Sequence, residues 1–76
     1  MPRMRWVYVR GGASLGLETR HDPQTQEYAA ILTHADGRQE THGFATARAL
    51  RHWLVWMDTR LTSERWVQDG SPHLLE

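Results

Sequence analysis

Residues 36–61 read DGRQETHGFATARALRHWLVWMDTRL, and the spacing of their apolar side chains changes once along the run. Asp36-Gly37 favours a tight hairpin turn, because both residues tolerate a positive φ angle. The segment 38–44 is therefore expected to be the returning strand. Thr46 is a candidate helix N-cap, and no Gly or Pro follows it until Gly70. The run predicts a strand followed directly by a helix.

The predicted helix has one apolar stripe. Its members recur every three or four residues, with Leu54 in the middle and Trp53 at the margin, and they are Ala47, Leu50, Leu54, Met57 and Leu61. Val55 and Trp56 fall on the far side of the helix. They are candidate interaction residues, either as a dimer contact or as a surface that the C-terminal segment covers through Trp66 and Val67.

Three further segments upstream have the features of strands. In residues 5–10 the side chains alternate in type and are rich in aromatic and β-branched residues, and Gly11-Gly12 ends this segment. Residues 15–20 alternate again and lead to a turn at 22–25, and residues 26–34 form the next strand. The sequence predicts a two-layer α+β fold of order β-β-β-β-α. Three to four antiparallel strands form its sheet, and one C-terminal amphipathic helix packs on one face.

Length and composition limit the possibilities further. The 76 residues allow one core, placed at residues 1–67, and residues 68–76 are predicted to be a flexible tail. The chain has no cysteine, no apolar run long enough for a membrane span and no secretory signal, which favours the cytoplasm. Leu75-Glu76 has the form of a cloning remnant. The nine basic residues, all arginine, balance nine acidic ones, so the chain lacks the basic excess typical of nucleic-acid binders.

The lengths of two hairpin loops predict which side chains share a face of the sheet. A four-residue loop at 22–25 and a two-residue loop at Asp36-Gly37 give an inner face of Leu15, Leu17, Tyr28, Ala30, Leu32 and Thr41, joined by Val7 and Val9. The opposite face then carries Trp6, Tyr8, Arg10, Glu18, Arg20, Glu27, Ile31, Arg38, Glu40 and His42. An error of one residue in either loop would invert this assignment.

No constellation of residues predicts catalysis or metal binding. The five histidines, His21, His34, His42, His52 and His73, lie in different predicted elements and match no zinc spacing. Ser14 and Ser63 have no nucleophile-elbow context, and Gly11-Gly12 joins two strands rather than a strand and a helix. We therefore expect a non-enzymatic module with no cofactor, no metal and no small-molecule substrate.

One segment carries a family resemblance. The hairpin strand, Phe44, the Thr46 cap and the alanine-rich helix start at Ala47 resemble small sheet-plus-helix DNA-binding domains. The similar families are the amino-terminal arm-binding domains of phage tyrosine recombinases and the plant ethylene-response-factor domains. The resemblance covers about a third of the chain.

The resemblance implies that the open sheet face contacts double-stranded DNA, in a protein of phage or mobile-element origin. Carried over by position, Arg38 and Glu40 on the last strand would face the DNA, with Arg10 and Arg20 on neighbouring strands, and Trp6 and Tyr8 lie on the same predicted face. Glu40 would pair with an arginine or read a cytosine amino group. Two alternatives remain: these side chains form ordinary cross-strand pairs, or the open face or Trp56 binds a protein partner or a second copy.

Overall fold

The chain folds as an antiparallel sheet with one helix packed on it, so the predicted α+β class is confirmed. The computed structural model describes residues 3–70 and 73–74. The elements in chain order are β1 (Met4–Arg10), β2 (Ala13–His21), β3 (Tyr28–Thr33), β4 (Gln39–Phe44), α1 (Ala47–Ser63), β5 (Val67–Gln68) and β6 (His73–Leu74). The strands lie in the order β4-β3-β2-β1-β5, and β6 also pairs with β1.

The turn between β2 and β3 is two residues longer than predicted. Its six residues, 22–27, begin with an Asx turn in which the Asp22 carboxylate accepts the Gln24 N–H at 2.9 Å. Leu17 consequently pairs with Leu32 instead of Ala30, and Arg20 pairs with Ala29 instead of Glu27. A slip of two residues moves every pair but keeps each side chain on its predicted face.

The β3–β4 hairpin differs by one residue, and this does change the face. The His34 N–H donates to the Arg38 carbonyl at 2.8 Å, and the Gly37 N–H donates to the His34 carbonyl at 2.9 Å. The loop is therefore three residues, 35–37, closed by Gly37 at a φ of 90°. Ile31 pairs with Thr41. The predicted inner position of Thr41 and the predicted open positions of Arg38, Glu40 and His42 are wrong.

The face of β1 is also the reverse of the prediction. Tyr8 pairs with Leu15 and Trp6 pairs with Leu17, so both aromatic side chains face the helix. Val7 and Val9 lie on the open face instead. Gly11-Gly12 is a two-residue turn between the paired residues Arg10 and Ala13, and that turn fixes this register.

The helix begins and packs much as its sequence predicts. The Thr46 hydroxyl accepts the Ala49 N–H at 3.1 Å, which caps the first turn. The buried stripe consists of Leu50, Met57 and Leu61, and it packs with Leu15, Leu17, Ala30, Leu32, Tyr8 and Trp66. Leu54 and Trp53 are only partly buried, one on each side of the stripe. Viewed down the helix axis, Leu50 rather than Leu54 therefore lies at the centre of the buried stripe.

The segment after the helix returns to the sheet instead of forming the predicted tail. Arg65 adopts a φ of 71°, and Trp66 turns back into the core. Val67 then pairs with Val9 on β1, and residues 73–74 pair with Arg5 and Met4. The predicted cloning remnant, Leu75-Glu76, lies outside the described residues.

Candidate functional site

The face of the sheet opposite the helix is covered by no described element. Its side chains alternate with those of the core, and none of them is buried. They are Arg5, Val7 and Val9 of β1, Ser14, Gly16, Glu18 and Arg20 of β2, Ala29, Ile31 and Thr33 of β3, and Gln39, Thr41 and Gly43 of β4. Val67 extends this open face beside Val9.

An arginine cluster occupies one end of the open face. The Arg20 Nε lies 2.8 Å from one oxygen of the Glu18 carboxylate, and an Arg3 nitrogen lies 3.4 Å from the other. Arg5 pairs directly with Glu18 across β1 and β2. Two guanidinium groups therefore bind one carboxylate, and a third arginine lies opposite it on the adjacent strand, which leaves an excess of two positive charges.

Glu18 holds the cluster together. Burial opposes ionisation of this side chain, but the hydrogen bond and charge of Arg20, followed by the charge of Arg3, keep the pKa of the Glu18 carboxyl below its ordinary value. The carboxylate is therefore ionised at neutral pH. It holds Arg3 and Arg20 in place, while the Arg5 side chain makes no hydrogen bond to another described residue.

A shallow depression of about 350 Å³ lies beside this cluster. Gly16 is part of its lining, and the missing side chain of a glycine leaves room between Val7 and Thr33 in the same cross-strand row. Its polar lining consists of Arg5, Glu18, Arg20, Thr33, Gln39 and Thr41. The Gln39 amide donates to the Thr33 hydroxyl at 3.2 Å. Hydrogen-bond donors and acceptors thus continue from the arginines to the edge strand.

Among the predicted DNA-binding residues, only Arg20 lies on the open face. Trp6 and Tyr8 pack under the helix, and the Tyr8 hydroxyl donates to Asp58 at 2.8 Å. Arg10 also lies on the helix side, where its guanidinium stacks 4.5 Å from the centre of the Trp66 ring. The residues that the prediction missed on this face are Arg3, Arg5, Thr33, Gln39 and Thr41. The two-residue turn at Gly11-Gly12 sets the register of β1 with β2, and the position of Arg5 on the open face could have been predicted from it.

Arg38 and Glu40 lie at a second concave surface, on the helix side of the sheet. This cleft of about 790 Å³ lies between the C-terminal half of α1 and the β3–β4 hairpin. Apolar side chains line it, namely Leu15, Leu32, Trp53, Trp56, Met57, Leu61 and Trp66, and its rim carries Arg10, His34, Arg38, Glu40, His42, Arg60 and Glu64. His34 lies 3.0 Å from Glu40, and this hydrogen bond lowers the pKa of the Glu40 carboxyl.

The predicted interaction residues remain exposed. The exposed fraction is 68% for Val55 and 55% for Trp56. Trp66 is buried in the core, and Val67 lies on the other side of the sheet. Of the two alternatives for Trp56, burial under the segment around Trp66 and Val67 is therefore wrong. Arg60 stacks 5.5 Å from the centre of the Trp56 ring.

The described residues contain no cluster of three or more side chains suited to hold a metal ion. No helix in this part of the chain is long and apolar enough to cross a membrane. Comparison with known proteins finds no family model, no curated protein and no solved structure that matches the chain.

Proposed function

We propose that the chain is a non-enzymatic binding module that contacts double-stranded DNA through the open face of its sheet. The observation that carries the proposal is the cluster of three arginines with one carboxylate, in which Arg3 and Arg20 are paired with Glu18 and Arg5 lies opposite Glu18 on the adjacent strand. Arginine suits phosphate recognition, because its planar guanidinium presents paired donors to two oxygens. The predicted arginines, Arg10, Arg20 and Arg38, are thus replaced by Arg20 together with Arg3 and Arg5.

The shape and chemistry of the face fit a duplex. A two-stranded β-ribbon fits the major groove, which is about 12 Å wide, and β-sheet proteins read DNA in this way. The arginines of β1 and β2 would contact phosphates. Gln39 and Thr41, on the neighbouring edge strand, would lie closer to base edges, where amide and hydroxyl groups form specific hydrogen bonds.

The charge distribution of the open face also supports this proposal. The whole chain is neutral, whereas the open face has an excess of two positive charges. Binding through so few arginines would be weak and strongly dependent on salt, since each neutralised phosphate contributes a slope of about −0.9 in log K against log salt.

The test is fluorescence anisotropy with a labelled mixed-sequence duplex at about 50 to 200 mM salt. Arg5→Ala combined with Arg20→Ala should weaken binding by about 1–3 kcal/mol and reduce the salt slope by about two. The matched control is Arg48→Ala with Arg51→Ala, which changes the net charge equally on the exposed side of the helix. Glu18→Gln should tighten binding, because it releases Arg3 and Arg20.

Two outcomes would contradict the proposal. The first is a wild-type protein that binds no duplex at about 50 mM salt, where phosphate contacts are strongest. The second is an equal loss of affinity in the helix control, because binding would then depend on net charge and not on this face. Circular dichroism of each variant verifies that the fold is intact.

Self-association is a second candidate function, and the exposure of Val55 and Trp56 favours it. The two side chains are consecutive and point about 100° apart around the helix, and exposed aromatic side chains are enriched at interfaces. Trp56→Ala should shift a concentration-dependent dimer toward monomer in sedimentation velocity and leave the far-ultraviolet spectrum unchanged. A wild type that is monomeric at every concentration would exclude this function.

A further inference from the structure

The edge of the sheet formed by β4 is open. Among the described strands, β4 pairs only with β3, and β5 and β6 extend the sheet at its opposite edge. Residues 39–43 are all exposed. An edge strand presents a row of unpaired backbone groups, and proteins commonly block it with charged side chains, proline or a covering element. β4 contains no lysine or proline, its one charged side chain, Glu40, is bonded to His34, and no described element covers it.

The hairpin determines which backbone groups point outward. In an antiparallel pair, hydrogen-bonded and non-hydrogen-bonded residue pairs alternate. Because the His34 N–H donates to the Arg38 carbonyl, the hydrogen-bonded pairs that follow are Leu32 with Glu40 and Ala30 with His42. The N–H and C=O groups of Gln39, Thr41 and Gly43 therefore point away from β3. These three residues can bind one more strand.

The helix-side cleft lies beside this edge. Trp53 and Trp56 line it from the helix, Leu32 lies in the sheet below, and the His42 ring of β4 lies 5.0 Å from that of Trp53. Its volume of about 790 Å³ is large enough for several side chains. Successive side chains of a strand point to opposite faces, so every second side chain of a strand added to β4 would lie on the helix side of the sheet, beside the cleft.

The rim charges of the cleft favour an acidic ligand. Three arginines face two carboxylates there, and both carboxylates already have partners. Glu40 is bonded to His34, and Glu64 accepts a hydrogen bond from Arg60 at 3.2 Å. The Arg38 side chain, next to the outward groups of β4, makes no hydrogen bond to another described residue. The rim therefore has an excess of one positive charge, and electrostatic complementarity favours negative charge on the added strand.

We infer that β4 and the adjoining cleft bind an extended acidic peptide of another protein, which adds to the sheet as a further strand. Backbone hydrogen bonds to Thr41 and Gly43 would supply affinity, and a large apolar side chain between Trp53 and Trp56 would supply specificity. The side chains of Gln39 and Thr41 line the depression on the open face, but the inference uses the backbone edge of β4 and the helix-side cleft and does not depend on DNA binding.

The probe is the blocked seven-residue peptide Thr-Asp-Thr-Leu-Thr-Asp-Thr. As a strand, it presents its threonines on one face and its two aspartates and leucine on the other. Binding is followed in ¹⁵N–¹H correlation spectra of the labelled protein. The amide signals of residues 39–43 and the indole signals of Trp53 and Trp56 should shift. The indole signal of Trp6 should not, because Trp6 lies on the other side of the helix, beside Leu54.

The decisive pair of variants is Thr41→Pro and Thr41→Val. Proline removes the outward N–H of Thr41 and keeps the pairing with β3, as proline is tolerated where an edge N–H faces solvent. The dissociation constant should rise about tenfold or more in Thr41→Pro and change by less than about twofold in Thr41→Val. Equal binding by both variants would overturn the inference.

A second comparison does not depend on how well the proline variant folds. Arg38→Ala should weaken binding of the acidic peptide by about fivefold to tenfold, whereas Arg48→Ala on the outer helix should have no effect. A peptide with lysine in place of aspartate should not bind. Equal binding of both peptides would contradict the inference. So would a wild-type dimer that dissociates in Thr41→Pro, because the edge would then belong to a second copy.

Discussion

At the residue scale, Tyr8 links β1 to the helix. Its ring is in the core, and its hydroxyl donates to the Asp58 carboxylate at 2.8 Å. Burial raises the pKa of the Tyr8 hydroxyl well above its ordinary value, and the hydrogen bond and charge of Asp58 raise it further. The folded state therefore favours the neutral phenol. This side chain was predicted to be part of an open surface, but it is a structural contact.

Tyr8→Phe should lower the free energy of unfolding by about 1.5–3 kcal/mol, because it removes one hydrogen bond to a charged acceptor. The pH dependence gives a second test. The folded pKa exceeds the unfolded one, so the contribution of Tyr8 is fully present below the unfolded value of about 10 and is lost as pH rises through the folded pKa. Urea unfolding between pH 8 and pH 11 measures both effects.

Tyr28→Phe is the matched control for this experiment, since Tyr28 stacks on His21 with a ring separation of 4.4 Å and its hydroxyl makes no hydrogen bond to a described residue. The loss of stability above pH 10 should be smaller in Tyr8→Phe than in Tyr28→Phe. Equal losses in both variants would show that the bond to Asp58 does not favour the neutral phenol.

At the scale of single elements, α1 provides a test of which helix face is buried. Leu50 is fully buried, and Leu54 lies at the margin beside Trp6. Leu50→Ala should lower the free energy of unfolding by about 2–5 kcal/mol, and Leu54→Ala should cost about 1 kcal/mol less than that. Chemical denaturation of the two variants gives the comparison. An equal or larger cost at Leu54 would show that Leu54 lies at the centre of the buried stripe, as the sequence alone predicted.

The elements themselves could be predicted because their apolar periods differ. Alternation along β1 and β2 and the three- and four-residue spacing from Ala47 to Leu61 are local patterns. The faces of the strands depend on loop lengths instead. Asp36-Gly37 suggested a two-residue turn, but the chain adds Ala35 and closes with Gly37 in the left-handed region. One extra residue was enough to move Arg38 and Glu40 from the open face to the cleft.

At the scale of the whole molecule, the need for a core explains why β1 places its aromatic residues inside. A chain of 76 residues has a small interior, and Tyr8 and Trp66 bury more apolar area than valine would. Val7 and Val9 consequently lie on the open face. Both sets of alternate side chains in β1 contain large apolar residues, so the sequence of this strand does not show which set is buried. Only its pairing with β2 distinguishes the two faces.

The return of the chain to β1 could not be predicted from local pattern either. β5 and β6 contain two residues each, too few to produce a period. Their pairing depends on Trp66, which enters the core after the turn at Arg65 and brings Val67 beside Val9. Long-range packing of this kind closes one edge of the sheet and leaves β4 as the other edge.

The three-residue hairpin loop also affects how the sequence can diverge. Loss of one loop codon would leave His34 opposite Arg38, so a two-residue turn would close the same residue pairs and each side chain of β4 would keep its face. Loss of a codon inside the strand has the opposite effect, because side chains alternate along a strand. Without Gln39, the side chain of Glu40 would join the arginine-rich face, and that of Thr41 would turn toward the helix. Since β4 pairs only with β3 among the described strands, the register of β1, β2 and β3 would stay the same. A deletion in the loop therefore preserves the two surfaces of β4, whereas a deletion in the strand exchanges them.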